Sequence, residues 1–176
     1  VDSARSGLYP RGMASITFKG QPVDTVGELP TVGARAPDFT LTTTDLADVD
    51  LSEYPGTRIL NIFPSVDTRV CAASVRAFNE KAARRDGVHV LNVSADLPFA
   101  HKRFCGAEGI DRAVSLSTFR SDFLDDYGVR MTSGPLAGLA SRAVLVIGPD
   151  GTVRHAEQVP EIAQEPDYDA ALAALP

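Results

Sequence analysis

The chain has 176 residues, 44% hydrophobic and 23% charged, an ordinary globular composition for one domain with a real core. A net charge of −6 argues against nucleic acid, whose phosphates call for clustered Lys and Arg. No apolar run approaches a membrane span and no signal-peptide pattern opens the chain, so a cytoplasmic protein with neither a membrane nor a nucleic-acid partner is expected.

Residues 1–12 precede Met13, show no periodicity and read as an expression leader, with Leu8 to Gly12 resembling an altered protease-cleavage site. One domain is expected over residues 13–176, starting naturally at Met13. Ile16-Thr17-Phe18 and the stretch from Pro22 flank Lys19-Gly20-Gln21 and read as a small N-terminal β-hairpin. Gly33 to Asp38 is a loop, Phe39 to Thr42 a short alternating strand, and Asp45 to Gly56 a polar connection. Arg58-Ile59-Leu60-Asn61-Ile62-Phe63 is a buried strand that Pro64 ends, by removing a ladder donor and fixing φ.

Ala72, Val75, Phe78 and Ala82 then recur at the period of one helix face. Asp67 or Thr68 is the natural N-cap, Lys81, Arg84 and Arg85 crowd the last turn, and Gly87 supplies the stop. Val88 to Val93 is a second buried strand, parallel to the first, which makes a strand, helix, strand unit. Asp96 caps a further helix with Pro98 in its first turn, running to Cys105, with Gly106 and Gly109 bracketing its end. A strand near Val114 to Leu116, a helical stretch Ser121 to Tyr127 and a Gly-rich loop Ser133 to Gly138 follow. Ala143 to Ile147 and Thr152 to Ala156 form a hairpin about Gly148-Pro149-Asp150-Gly151, and Asp167 to Leu175 is a closing helix. The pattern is α/β. It predicts a thioredoxin-like fold, with a central mixed sheet flanked by helices.

Cys71 falls in the first turn of the first helix. Free backbone N–H groups and the helix dipole favour an anion there, so its sulfur is expected to ionise more readily than a free thiol. A buried cysteine acting as a small hydrophobe is the alternative, but the preceding Asp67-Thr68-Arg69 is polar. Cys105 is the only other thiol, 34 residues on. It is either a core thiol beside Phe104 and Ile110 or a partner that condenses with an oxidised Cys71. A disulfide requires the Cα atoms within about 7 Å. With each cysteine on its own helix, the second role requires local unwinding, most easily near Gly106 and Gly109.

Cys71-Ala72-Ala73-Ser74 lacks the second cysteine of a Cys-x-x-Cys oxidoreductase. His101 and Cys105 share a helix face, but a zinc site needs more ligands than these, and there is no phosphate loop, so neither metal nor cofactor is expected.

Asn61-Ile62-Phe63-Pro64-Ser65-Val66-Asp67-Thr68 with Val70-Cys71, then Asp96 to Ala100, Arg103 to Gly109 and Gly134 to Leu139, resemble the bacterial thiol peroxidases, an atypical two-cysteine branch of the peroxiredoxins. The resemblance runs from Met13 to the C-terminus. It implies reduction of hydroperoxides, alkyl ones preferred to hydrogen peroxide, with Cys71 as peroxidatic nucleophile and Cys105 as resolving cysteine. An intrachain Cys71–Cys105 disulfide, recycled by thioredoxin, and a homodimer are implied too. Thr68 would hydrogen-bond the peroxide, Pro64 would shield the pocket, and Arg142 would hold both thiolate and peroxide. Leu97, Pro98 and Phe99 are candidates for an apolar substrate pocket. Arg69 departs from the family's small residue or proline, and activity is expected to survive it. A redox sensor that oxidises without turnover is the reading from another class.

Overall fold

The computed structural model describes residues 14–176, so the expected leader and Met13 lie outside the described residues. A seven-stranded sheet has the order β4-β3-β7-β6-β5-β8-β9, and β1 (Ile16–Phe18) with β2 (Gln21–Val23) forms a separate antiparallel hairpin. The three central strands, β5 (Thr57–Ile62), β6 (Val88–Ser94) and β7 (Val114–Ser117), run parallel. Antiparallel strands flank them on both sides: β3 (Thr40–Thr43) with β4 (Asp48–Asp50), and β8 (Ala143–Ile147) with β9 (Val153–Gln158).

Alternation along the buried strands divides the core into two layers. Leu60, Ile62, Leu91, Val93 and Leu145 point to one face, where they pack with Phe39, Phe123 and Tyr127. Ile59, Val90, Val144 and Val146 point to the other, against Phe78 of α1 (Arg69–Lys81), Ala82 just past its end, and Ala171 of α4 (Tyr168–Ala173). A period of two turns successive residues to opposite faces, so a strand apolar throughout is covered on both. α2 (Pro98–Glu108) lies on the α1 side, with His101 against Phe63 and Ser94, and α3 (Phe123–Asp126) supplies Phe123 to the opposite face.

The mixed sheet, its flanking helices and the small hairpin agree with the sequence pattern. Several details differ. The polar connection after β3 holds the edge strand β4 and a 3₁₀ turn, Leu51–Glu53. Asp48 and Asp50 pair with Thr42 and Thr40 in register, a cross-strand arrangement that β-propensity alone does not favour. The first helix ends at Lys81, so Arg84 and Arg85 fall in the turn beyond it and Gly87 opens β6 rather than closing α1. Gly87 approaches Gly56 so closely that a Cβ on Gly56 would stand 2.5 Å from the Gly87 carbonyl oxygen. Gly106 is inside α2, and the stop is Gly109 alone, in the left-handed region at φ 65°. Leu97, not Asp96, is the N-cap of α2, because the Asp96 carboxylate is committed elsewhere.

Candidate active site

β5 delivers the chain at Phe63, whose amide is held by the Val93 carbonyl at 3.1 Å, and buried Pro64 then turns it into a four-residue loop before α1. Ser65 organises that loop: its carbonyl accepts the Thr68 amide at 3.2 Å and the Thr68 hydroxyl at 3.1 Å, and its own hydroxyl accepts the Asp67 amide. Thr68 is the N-cap, but its side chain does not cap the helix. With its proton given to Ser65, the Thr68 oxygen keeps lone pairs that an incoming O–H can use.

Cys71 is the third residue of α1 and is fully buried, among Phe63, Val66 and Val75, with Phe104 and Ile110 packed against them. The first α1 hydrogen bond to the cap runs from the Ala72 amide to the Thr68 carbonyl, and the amides before it belong to the helix end that favours negative charge. The Cys71 carbonyl accepts the Ser74 hydroxyl at 2.8 Å, and Asn61 on β5 donates to that hydroxyl at 3.2 Å. The backbone at the nucleophile is thereby fixed to the sheet.

Arg142 comes to the sulfur from 71 residues away in sequence. Its Nη2 donates to Cys71 Sγ at 3.2 Å, and its Nε to the Ile162 carbonyl at 2.9 Å. The side chain is 2% exposed and Nη1 has no partner. The Arg142 carbonyl is held by the Gln158 side-chain amide at 2.9 Å and the Val159 amide at 3.0 Å. The Ile162 carbonyl is itself placed by the N-terminal hairpin: Thr17 exchanges backbone bonds with Pro160 and Ile162, and Glu161 accepts the Thr17 hydroxyl and the Lys19 and Gly20 amides. Those bonds, Thr17 first and Gly20 next, hold the Glu161 carboxyl down at about 2.

Cys105 lies on α2, half-buried, with its Sγ 3.2 Å from the Ser115 hydroxyl of β7. Burial pushes its thiol above the ordinary value, and the Ser115 hydroxyl partly offsets that. Both cysteines are free. Phe104 faces the Cys71 cluster, while Cys105, one residue on, borders a hollow of about 360 Å³ lined by Thr43, Lys102, Val114 and Ser115. Neighbouring helix positions point about 100° apart, so the helical form of α2 turns Cys105 away from Cys71.

Of the predicted site residues, Cys71, Thr68, Pro64 and Arg142 come together, and Cys105 stands on an adjacent helix facing a different hollow. Arg69 is exposed and forms no ion pair among the described residues. Leu97 and Phe99 are 51% and 65% exposed rather than lining a pocket at Cys71. Asn61, Ser74, Gln158 and Ile162 escaped the sequence reading, since three of them act on backbone or side-chain groups that only tertiary packing brings near, and Ile162 acts through its carbonyl. Asp96 was legible as a helix-start residue and as part of the Asp96 to Ala100 motif, with no role attached to its carboxylate. Among the described residues no three His, Cys, Asp or Glu side chains lie together as a metal site, and no helix is long and apolar enough to cross a membrane.

A buried cysteine at the start of the first βαβ helix, an arginine on its sulfur and a second free thiol on the next helix are the parts a thiol-disulfide redox domain requires. The sequence profile of the Redoxin family matches residues 31–172. The thiol peroxidase of Mycobacterium tuberculosis is 58% identical over 164 residues, 93% of this chain and 99% of that protein. A peroxiredoxin-like protein from Aquifex aeolicus superposes with TM-score 0.85 at 39% identity, covering 92% of this chain and 95% of that one. A thiol peroxidase from Chromobacterium violaceum shares the fold, with TM-score 0.81 at 22% identity over 90% and 94% of the two chains. The chain belongs to the redoxin family, and within it to the thiol peroxidases.

Proposed function

We propose that this chain reduces hydroperoxides through Cys71, and the observation that carries the reading is Arg142 Nη2 at 3.2 Å from a fully buried Sγ, with Nη1 left over. A guanidinium presents its donors as a rigid fork, so one arm holds the sulfur while the other is placed for a peroxide oxygen. The Thr68 oxygen accepts the peroxide O–H on the opposite side, which lines the O–O bond up with the sulfur. Cys71 thiolate attacks the terminal oxygen, an S–O bond forms as the O–O bond breaks, and alkoxide or hydroxide leaves and takes up from solvent the proton the thiol released on ionising. The product is Cys71 sulfenic acid and an alcohol or water. Pro64, with Phe63 and Val66, keeps bulk water from the sulfur. The apolar wall of Phe63, Val66 and Val75 supports alkyl hydroperoxides ahead of hydrogen peroxide.

Cys105 then attacks the sulfenic sulfur, forming the intrachain disulfide and releasing water. Cys105, turned to Ser115 rather than to Cys71, supports a step in which α2 unwinds near Gly106, which carries no side chain and sits in the last turn. Thioredoxin, as an external dithiol, reduces the disulfide by exchange. A cytoplasmic homodimer completes the reading. It is checked by sedimentation velocity of the reduced protein, where a monomer at micromolar concentration would refute the dimer.

Turnover is the test. With a thioredoxin system supplied, many equivalents of alkyl hydroperoxide are consumed per chain, and Cys71→Ser consumes none. Stoichiometric consumption by the unaltered chain would instead identify a sensor.

A further inference from the structure

We propose that Asp96, with Ser94 and His101, is a positioning latch that fastens the Cys71 loop to the first turn of α2 and confines the release of Cys105 to that helix's second half. This inference rests on the peroxidase reading above.

Asp96 lies between β6 and α2, and its carboxylate serves no helix. Oδ1 accepts the Ser65 hydroxyl at 2.7 Å, and Oδ2 accepts the Val66 amide at 2.9 Å and the Ser94 hydroxyl at 2.5 Å. Two of these three donors belong to the loop that presents Thr68 and Cys71. Among the described residues Asp96 forms no ion pair, so its placement is set by hydrogen bonds alone.

The chain of bonds continues into α2. Ser94 has one proton, and it goes to Asp96, so the Ser94 oxygen must accept from His101 Nε2 at 3.0 Å, as it does from the Asp96 amide at 3.2 Å. The imidazole is then the neutral tautomer protonated on Nε2. Its Nδ1 is buried without a partner, which suits a bare nitrogen and not an N–H. Burial lowers the affinity of His101 for a second proton, although the nearby Asp96 charge works the other way. His101 is fully buried, packs edge-on against Phe63 and makes the first turn of α2 part of the loop's support.

The second half of α2 is held differently. Gly106, Ala107 and Glu108 are exposed, and beyond the packing of Phe104 on the Cys71 cluster the links back to α1 and its loop are exposed ion pairs, Arg76 with Glu108 and Arg103 with Asp67. Exposed pairs of this kind contribute little. A helix pinned at His101 and Phe104 and exposed from Gly106 onward unwinds from its C-terminal end, which frees Cys105 while leaving the geometry at Thr68 intact.

Single-turnover kinetics, with Cys71 oxidation and disulfide formation followed separately, test the two arms of the latch. Asp96→Asn places an amide donor among three donors. It lowers the second-order rate of Cys71 oxidation at least tenfold, and Ser65→Ala, the milder variant, lowers it several-fold. His101→Leu, which frees the first turn of α2, lowers that rate less than Asp96→Asn does and raises the rate of disulfide formation at least fivefold, and His101→Gln, which keeps a donor toward Ser94, restores both. Amide hydrogen exchange of the unaltered disulfide form gives a readout apart from activity: protection falls at least tenfold over residues 105–109 and is retained at Ala100 and His101, whose amides bond the Leu97 carbonyl, whereas in His101→Leu both are lost. An unaltered protein inert to peroxide would overturn the peroxidase reading. An active one in which Asp96→Asn and Ser65→Ala oxidise at the normal rate, or in which Ala100 and His101 lose protection together with 105–109, would overturn the latch.

Discussion

The two cysteines occupy contrasting surroundings. Cys71 is fully buried, its carbonyl tied through Ser74 to Asn61, its sulfur tied to Arg142, and the loop before it tied through Ser65. Cys105 is half-buried and its sulfur meets one hydroxyl, on a helix segment whose outer face is solvent. The contrast fits the different work proposed for them. A nucleophile that must react in one geometry gains from being over-determined, because reorganisation is avoided at the moment of reaction. A resolving thiol must travel, and a segment with few ties opens at low free-energy cost.

The sharpest way to break this contrast is to exchange the roles. Cys71→Ser abolishes peroxide consumption, whereas Cys105→Ser still consumes one equivalent of peroxide per chain and then stops with thioredoxin as reductant. Quantifying residual peroxide separates the two, and if Cys105→Ser behaved like Cys71→Ser the assignment of nucleophile and resolver would collapse.

Next in size is the arginine. Arg142→Met lowers kcat/KM for alkyl hydroperoxide by about 10²–10³, the usual loss for one preorganised electrostatic donor. Arg142→Lys recovers only part of it, since a point charge cannot hold sulfur and oxygen at once. Steady-state kinetics at saturating thioredoxin measure both, and full activity in Arg142→Lys would show that charge without the fork suffices. Thr68→Val removes one hydrogen bond of ordinary strength and costs about tenfold in the same measurement.

The hairpin clamp is a smaller effect and sharpens the comparison at its rim. Glu161→Gln loosens β1–β2 from the segment that offers the Ile162 carbonyl to Arg142, and kcat/KM falls by about threefold, roughly half a pKa unit in energy terms. Because the folded carboxyl sits near 2 against an ordinary 4.5, the clamp is intact above pH 4.5 and is lost as pH falls through about 2. Exchange protection of residues 16–23 measured down the acid range follows that course in the natural sequence and is flat in Glu161→Gln.

Smallest is the tuning of Cys105. In Cys71→Ser, alkylation of Cys105 has its midpoint above the ordinary thiol value, because burial disfavours the thiolate. Ser115→Ala raises it further, since the Ser115 hydroxyl works in the opposite direction. A downward move in Ser115→Ala would show that the 3.2 Å contact does not stabilise the anion.

Much of the frame was legible. The apolar runs at 58–63, 88–93 and 143–147 announced strands covered on both faces, and the Ala72, Val75, Phe78 spacing announced the helix that follows the loop. β4 was not legible, because its Asp-Val-Asp is poor strand material and is held by Thr40 and Thr42 across the ladder. Asp96 has the local signature of a cap, an Asp before a Pro-initiated helix, but two of its three partners lie about thirty residues back in the chain. Arg142 was indistinguishable by composition from the other basic residues, and only the resemblance pointed to it.

By itself the sequence determined what is local: strand alternation, the helix phase, and a cysteine in the first turn after a polar loop. Those follow from residue type and spacing, which act over a few residues. The tertiary structure alone decided which distant groups meet the sulfur, how the hairpin reaches Arg142 through Ile162, and that α2 turns Cys105 away from Cys71. Such contacts join residues dozens of positions apart, where sequence order carries no distance.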